Sequence, residues 1–345
     1  MSTRYPGDTN DALRMEDGTP WYLSPDIQLT TAVANVGPND IKLTARLEPQ
    51  KTFPTSQAEV EVFVGNPSLV MSPTAGTVRI GTVLVARSDL AAAATGSVQR
   101  TLVWTVPAVD PAHPDQPDQP GHRCLVARIY PFGSSKPADF QVVADQHEAQ
   151  RNICVVDCAA DGAIEGGAGA GGAGGPEHPI GKGEDGLWAF ALDTTTLGAR
   201  PEVVAIRATV ILQPTSFELD QLRPLLHPGF NRFSATPPPT TAVTFRTAET
   251  VVDPNPPTYS PVCTFLRKVL PIPALWKLID KICAPKRPPG ARVRVELQPG
   301  RTARLAVQVD LATTPVHEAQ LLRVEQVGTG GEVQGGAVLA FQRVA

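Results

Sequence analysis

The sequence predicts an all-β protein built of two β-sandwich domains. Three observations lead to this fold class. Short apolar runs, often alternating with polar residues, recur along the chain, and Pro, Gly, Asp and Asn separate them. One stretch of nearly pure glycine and alanine divides the chain near its middle. At 345 residues the chain is long enough for two domains of ordinary size.

Residues 1–20 are polar and acidic and are expected to form a flexible arm, and residues 21–158 are expected to form the first domain. Within it, the segment AEVEVFVG (58–65) alternates valine with glutamate, as in a strand with one buried face. About seven such candidates predict an antiparallel, immunoglobulin-like sandwich. The candidates are 41–49, 58–65, 77–86, 98–107, 122–131, 140–144 and 151–157.

Residues 159–186 are expected to be a Gly/Ala-rich flexible linker, because dense glycine cannot repay its ordering entropy. A random coil of this length reaches about 30 Å. The sequence therefore predicts that the two domains can be placed independently of each other.

Residues 187–345 are expected to form a second sandwich with a helical insertion over 215–285. Thr215 and Glu218 have the spacing of a capping box. Further on, the segment PIPALWKLIDKIC places apolar residues near helical spacing. The strand candidates around the insertion are 187–193, 202–212, 241–247, 291–299, 302–311, 319–327 and 337–344.

The tetrapeptide His-Glu-Ala-Gln occurs at 147–150 and again at 317–320. Each copy lies between strand candidates near the end of its domain, which indicates duplication of one module. A zinc protease motif would need a second histidine where Arg151 and Leu321 stand. We therefore predict a polar turn at each copy, with no metal, no cofactor and no catalytic residue.

Five segments of the first domain resemble a bacterial immunoglobulin-like family, the CARDB-like adhesion-related modules. They are WYLSPDIQL (21–29), GTVLV (81–85), VWTVP (103–107), GHRCLVARI (121–129) and AQRNICVVD (149–157). The resemblance covers roughly residues 20–157 and only faintly 187–345. It implies an accessory role in bacterial surface or secreted proteins, and supplies no catalytic residues. In IKLTARLEPQK (41–51) the asparagines and glycine usual in the family are missing, so the local turn is expected to differ.

Cys263 and Cys283 flank part of the insertion and form a candidate disulfide. A bridge there would contribute about 3 kcal/mol through loop closure; the alternative is two buried thiols. The resemblance also makes neighbours of the strands that carry Cys124 and Cys154, which gives a second, weaker candidate. Cys158 would then be left over.

The insertion also carries the candidate partner-binding residues, which are Leu275, Trp276, Leu278 and Ile279. The alternative is that they pack on their own domain. Trp104, in a strongly apolar strand, is expected to fill a core. In the loop 107–122 several aspartates allow calcium binding, although a solvated acidic loop is favoured.

Net charge is −4 with both signs interspersed, which argues against nucleic-acid partners. No run reaches the roughly 18–20 apolar residues of a spanning helix, and the N-terminus lacks the apolar stretch of a signal peptide. The compartment stays open, with extracellular or particle-associated placement by a signal-free route among the options.

Three functions are consistent with these patterns. The first is a non-catalytic structural or adhesive protein that binds protein partners or assembles with itself. The second is a subunit of a phage-like or secreted particle, such as a tail, fibre or decoration protein. The third, least favoured, is a carbohydrate-binding accessory protein or a hydrolase with an unrecognised site, for which a surface glycan would be the ligand.

Overall fold

The fold is known from a computed structural model, which describes 12–31, 34–71, 76–108, 110, 116–138, 140, 142, 145–158, 181–182, 187–196, 200–234, 243–247, 251–254 and 290–344. Over these residues the chain is built mainly of strands, with two short α-helices and one 3-10 helix. The predicted all-β sandwich fold class is confirmed.

The N-terminal sandwich consists of two four-stranded sheets. One contains β1 (Leu13–Arg14), β2 (Ile27–Leu29), β3 (Gly37–Leu47) and β6 (Ser97–Val106). The other runs in the order β5 (Thr77–Ala86), β4 (Gln57–Gly65), β7 (Cys124–Pro131) and β8 (Glu148–Arg151). Helix α1 (Arg87–Ala92) connects β5 to β6 and so joins the two sheets.

Alternation along the strands creates the core of this sandwich. Ile41 and Leu43 on β3 face Val60 and Val62 on β4, and all four are essentially inaccessible to water. Trp104 on β6 lies in the same core at 4% exposure, so its predicted role is confirmed.

The predicted arm over 1–20 is wrong for its second half. Leu13 and Arg14 pair with β3, and Leu13 and Met15 are buried in the core. The free energy gained by burying these apolar side chains exceeds the chain entropy that is lost when the segment becomes ordered. Residues 1–11 lie outside the described part of the chain.

The C-terminal sandwich also has two sheets. The first has the order β10 (Gly181–Lys182), β11 (Trp188–Thr194), β17 (Ala303–Val309) and β14 (Val243–Thr247). The second has the order β15 (Val251–Pro254), β16 (Gly290–Leu297), β12 (Glu202–Ile211), β18 (Glu318–Val327), β19 (Val333–Arg343) and β9 (Ile153–Cys158), with β13 (Arg232–Phe233) beside β18. Phe190, Ile206, Val307 and Leu339 lie in the core between them.

Helix α2 (Ser216–Leu222) has the capping box that the sequence predicts. The Glu218 amide donates to the Thr215 hydroxyl (3.2 Å), and the Thr215 amide donates to the Glu218 carboxylate (2.9 Å). The 3-10 helix Arg223–Leu225 follows, and Leu222 and Leu225 pack on the outer face of the second sheet. Within the predicted insertion over 215–285, residues 235–242, 248–250 and 255–285 lie outside the described residues.

The structure differs from the prediction at the last strand of the first domain. The sequence predicts that the segment 151–157 closes the N-terminal sandwich. Instead it divides at Asn152: β8 stays in that sandwich, while β9 pairs in parallel with β19. The pairing runs from Ile153 opposite Val338 to Cys158 opposite Arg343.

Strand β9 packs against apolar side chains on both of its faces, which explains why it pairs with β19 in the sheet of the C-terminal sandwich. Cys154, Val156 and Cys158 enter the core of the C-terminal sandwich. Ile153 and Val155 pack on the opposite face, in a second cluster. The two sandwiches therefore share a sheet, contrary to the expectation that they are placed independently. The linker prediction itself falls almost wholly on residues that are not described.

Two glycines of β19 allow the sandwiches to approach closely. A Cβ atom on Gly336 would lie 2.4 Å from the ring of Tyr22. A Cβ atom on Gly335 would lie 1.8 Å from the carbonyl oxygen of Leu69, too close for any real contact. Both positions therefore need glycine for backbone approach.

Candidate functional site

The candidate site is the junction where the chain crosses from one sandwich to the other. Here Asn152 is wholly buried between β8 and β9. Its side-chain amide donates to the carbonyl oxygens of Ser68 (2.5 Å) and Gly336 (2.7 Å), which belong to different sandwiches. Its own carbonyl oxygen accepts the thiol hydrogen of Cys124 at 2.5 Å.

The backbone of Asn152 continues this connection. Its amide donates to the carbonyl oxygen of Tyr22 (2.9 Å), and its carbonyl accepts from the amide of Val338 (3.0 Å). One residue thus satisfies buried polar groups of both sandwiches, and each of those groups would be costly to leave without a partner.

A second bridge between the sandwiches lies beside the first. The hydroxyl of Tyr22 donates to Glu325 at 3.1 Å, and Arg207 donates to the other carboxylate oxygen of Glu325 at 2.7 Å. Burial and the neighbouring carboxylate raise the pKa of Tyr22 well above its usual range. The tyrosine is therefore a neutral donor.

A third contact joins the loop after β4 to β11. The amide of Leu69 donates to the carbonyl of Asp193 (2.8 Å), and the amide of Asp193 donates to the carbonyl of Pro67 (2.7 Å). The side chain of Leu69 is buried in the core of the C-terminal sandwich.

The predicted disulfide between Cys124 and Cys154 is wrong, because both cysteines are free thiols. Cys124 lies in a small cluster of the N-terminal sandwich, whereas Cys154 lies in the core of the C-terminal one. Burial raises the pKa of Cys124 to about 12, which keeps the thiol protonated as a donor to Asn152.

His122 lies at the same junction. Its ring meets the ring of Phe190 edge-on, with centroids 5.3 Å apart. Nδ1 is buried and has no hydrogen-bond partner among the described residues. Burial, together with the nearby charge of Arg123, lowers the pKa of His122 to about 4, so the imidazole is neutral at physiological pH.

A small cleft with a volume of about 10 Å³, partly open to solvent, lies at the junction. It is lined by two cationic side chains, Arg123 and Arg151, by Thr31, and by an apolar wall formed by Leu29, Leu125, Ile153 and Leu225. Leu225 comes from the 3-10 helix of the C-terminal sandwich, so both sandwiches contribute to the cleft.

In both His-Glu-Ala-Gln copies the histidine lies in a turn, while the glutamate begins a strand, so the predicted turn holds only for His147 and His317. The Glu148 amide donates to the carbonyl of Asp145, and the Glu318 amide donates to the carbonyl of Pro315, each at 3.1 Å. Glu148 accepts from the hydroxyl of Tyr130 (3.0 Å). Both glutamates are buried at the start of strands and serve the fold, while the duplication of the module stays a prediction.

The structure leaves several predicted sites untested. Cys263, Cys283, Leu275, Trp276, Leu278 and Ile279 lie outside the described residues. In the acidic loop, Asp110 and Asp118 are described, and the favoured solvated loop stays a prediction, with calcium binding as its alternative. Among the described residues, no group of three or more His, Cys, Asp or Glu side chains is arranged to hold a metal ion. In the same part of the chain, no helix has the length and apolar character needed to cross a bilayer.

The sequence patterns do not identify the residues that build the junction. The one available signal was the polar run Gln150-Arg151-Asn152, which stands directly before the apolar run 153–156.

Comparison with known proteins gives no family assignment. No protein-family model matches the sequence, and no curated protein matches it. The collagen adhesin CNA from S. aureus aligns over 93% of this chain and 92% of its own, with 7% identity and a TM-score of 0.20. The CupB6 tip adhesin from Pseudomonas aeruginosa aligns over 96% of this chain and 97% of its own, with 10% identity and a TM-score of 0.15. Such low TM-scores carry no argument, so the resemblance to CARDB-like modules stays a prediction.

Replacement of Asn152 by alanine is expected to lower the free energy of unfolding by about 3 kcal/mol, because it leaves buried carbonyl groups of both sandwiches without a donor. Chemical denaturation measures this loss. The matched control is Asn39→Ala, since Asn39 also donates to two carbonyl groups, those of Asn35 and Gly37, but both lie at the start of β3 in the N-terminal sandwich. The control should lose about 1 kcal/mol, as for an ordinary hydrogen-bonding side chain. Equal losses in the two variants would contradict the role given to Asn152.

Acid is expected to destabilise the protein through His122. The unfolded chain binds this proton below about pH 6.5, whereas the folded chain binds it only near pH 4. Stability is therefore complete above pH 6.5 and falls between pH 6.5 and 4, by about 1–3 kcal/mol since the side chain keeps some contact with water. Chemical denaturation at several pH values in this range gives the free energy of unfolding as a function of pH. This free energy should depend less on pH in both His122→Phe and His122→Asn than in the wild-type chain. The same pH dependence in both variants as in the wild type would contradict the role given to His122.

Proposed function

We propose that the chain is a non-catalytic structural or adhesive protein whose two sandwiches act as one unit. The observation that carries this proposal is the shared sheet, in which β9 follows directly on the N-terminal sandwich and pairs with β19 of the other. A pulling force on one sandwich would pass to the other through six consecutive residue pairs and through Asn152. Such coupling suits a protein that bears load or holds a fixed spacing.

Strand β6 supports an interaction with protein partners or with further copies of the chain. It is ten residues long and pairs only with β3 among the described strands, so its other edge has free backbone groups there. Its solvent-facing row contains Gln99, Thr101, Val103 and Thr105, without a charge. Natural edge strands are usually protected by charge, proline or a bulge, and an unprotected edge favours strand addition.

Val103 is the centre of that row and is 58% exposed. We propose that β6 takes a strand from another protein chain, with the insertion around Trp276 as a second, separate contact. The CARDB-like resemblance, with its implied adhesive role, supports the same function. The proposal of a particle subunit also predicts self-assembly, whereas a carbohydrate-binding accessory role does not.

Sedimentation over a wide concentration range, together with binding to intact bacterial and host surfaces, tests this function. We expect concentration-dependent association or saturable surface binding, weakened about tenfold or more by Val103→Lys, because a charge on the edge opposes strand addition. The matched control is Val316→Lys, since Val316 is also exposed (38%) and lies outside the strands.

Two results would contradict the proposal. One is a chain that stays monomeric at high concentration and binds no surface. The other is turnover of glycoside, ester or peptide substrates, which would replace a structural role by catalysis.

A further inference from the structure

The hydrogen bonds of β3 show which backbone groups of β6 point to the open edge of the sheet. The amide of Leu47 on β3 donates to the carbonyl of Gly96, directly before β6, at 2.7 Å. On the other side of β3, the amide of Thr44 donates to the carbonyl of Asp26 at 2.9 Å. Odd-numbered residues of β3 therefore bond to β6. Because the pairing keeps one register throughout, the even-numbered residues of β6 bond back and its odd-numbered residues point away.

The backbone groups at the open edge belong to five residues with uncharged side chains, which lie on the outer face of the sheet. They are Ser97, Gln99, Thr101, Val103 and Thr105. The carbonyl of Gln99 also accepts from the guanidinium of Arg100 at 3.1 Å, and a carbonyl oxygen has a second lone pair for another donor. The edge can therefore form a complete ladder with one more strand.

The inner face of β6 restricts which strand can be added. Val98 and Leu102 pack against the core but stay partly exposed at this open side of the sandwich. Leu102 lies directly over Gly81 of β5, where a Cβ atom would be only 2.7 Å from it. An added strand continues both faces, so it must be apolar on the inner side and uncharged on the outer side. Strand β6 itself meets both conditions.

We propose that two copies of the chain pair through β6, antiparallel and about a two-fold axis at Thr101. The two sheets that contain β3 and β6 then become one continuous sheet. This pairing rests on the strand addition proposed for β6 and gives the added strand an identity, a second copy of the same chain. Both copies use the same surface, as in most soluble homodimers.

The position of the axis follows from the five residues at the edge. Thr101 is the middle one, so an axis there sets Ser97 opposite Thr105 of the second copy and Gln99 opposite Val103. In an antiparallel ladder, each such pair exchanges two backbone hydrogen bonds. All five residues thus find partners within the same row.

Neighbouring positions of the axis are less favourable. An axis at Leu102 would set Ser97 against Pro107, which has no amide hydrogen to donate. An axis at Arg100 would set this arginine against its own copy, and like charges directly opposite each other destabilise a sheet. At the proposed axis Arg100 faces Leu102 instead, and it keeps its ion pair with Asp89 of its own chain at 2.5 Å.

Disulfide trapping in the full chain tests this pairing. Thr101→Cys would lie opposite its own copy, with Cα atoms about 5.5 Å apart, a distance that a disulfide spans. Val103→Cys is the matched control, since its two copies would lie four residues apart, about 13 Å along the strands. After mild oxidation we expect at least about tenfold more linked dimer from Thr101→Cys than from Val103→Cys or from the wild-type chain, whose native cysteines set the background.

Charge substitution tests the axis without a covalent bond. Thr101→Lys and Thr101→Glu each place like charges opposite each other, so each variant alone should associate about fivefold more weakly than the wild type. An equimolar mixture places the lysine opposite the glutamate and should restore association, as measured by sedimentation velocity. Thr101 lies on the solvent face, so both variants should keep the far-UV circular dichroism of the wild type.

Two results would overturn self-pairing. One is a yield of linked dimer from Thr101→Cys no greater than from Val103→Cys. The other is a mixture of the lysine and glutamate variants that associates no better than either variant alone. If the wild-type chain still binds cell surfaces and Val103→Lys weakens that binding, β6 takes its strand from a different protein, and the proposed function stands without self-pairing.

Discussion

Asn152 is the constraint on which the rest of the structure depends. The residue lies where the chain leaves one sandwich and enters the other, and its side chain contacts both through the carbonyl groups of Ser68 and Gly336. Because it is wholly buried, water cannot replace these bonds. The crossover therefore has one favourable geometry, and the direction in which β9 leaves β8 is fixed by hydrogen bonds.

The packing around the crossover depends on that geometry. Once β9 lies beside β19, its side chains fill two hydrophobic clusters at once, one on each face of the sheet. Gly335 and Gly336 leave the space that the N-terminal sandwich needs for its approach. The Arg123 and Arg151 cleft is a product of the same arrangement, since its walls come from both sides of the junction. The crossover and the cleft are thus parts of one interface.

Much of the fold could be predicted from the sequence because it depends on local patterns. Alternation in 58–65 identifies a strand, and the Thr215–Glu218 spacing identifies a helix start. The position of β9 could not be predicted in this way. A strand buried on both faces is apolar over most of its length, as β9 is over 153–156, so its pattern does not indicate which sheet it joins. The surroundings of Arg151 were equally hidden, because its contact with the distant Gln221 becomes visible only in three dimensions.

Cleavage between the sandwiches tests the central claim most directly. A specific protease site placed within the glycine-rich segment 163–175 would leave β9 attached to the N-terminal fragment. Size-exclusion chromatography and calorimetry would then follow the cut protein under native conditions. If the sandwiches share a sheet and a buried junction, the two fragments co-elute and unfold in a single transition. Separate elution of two folded fragments with independent transitions would contradict the account.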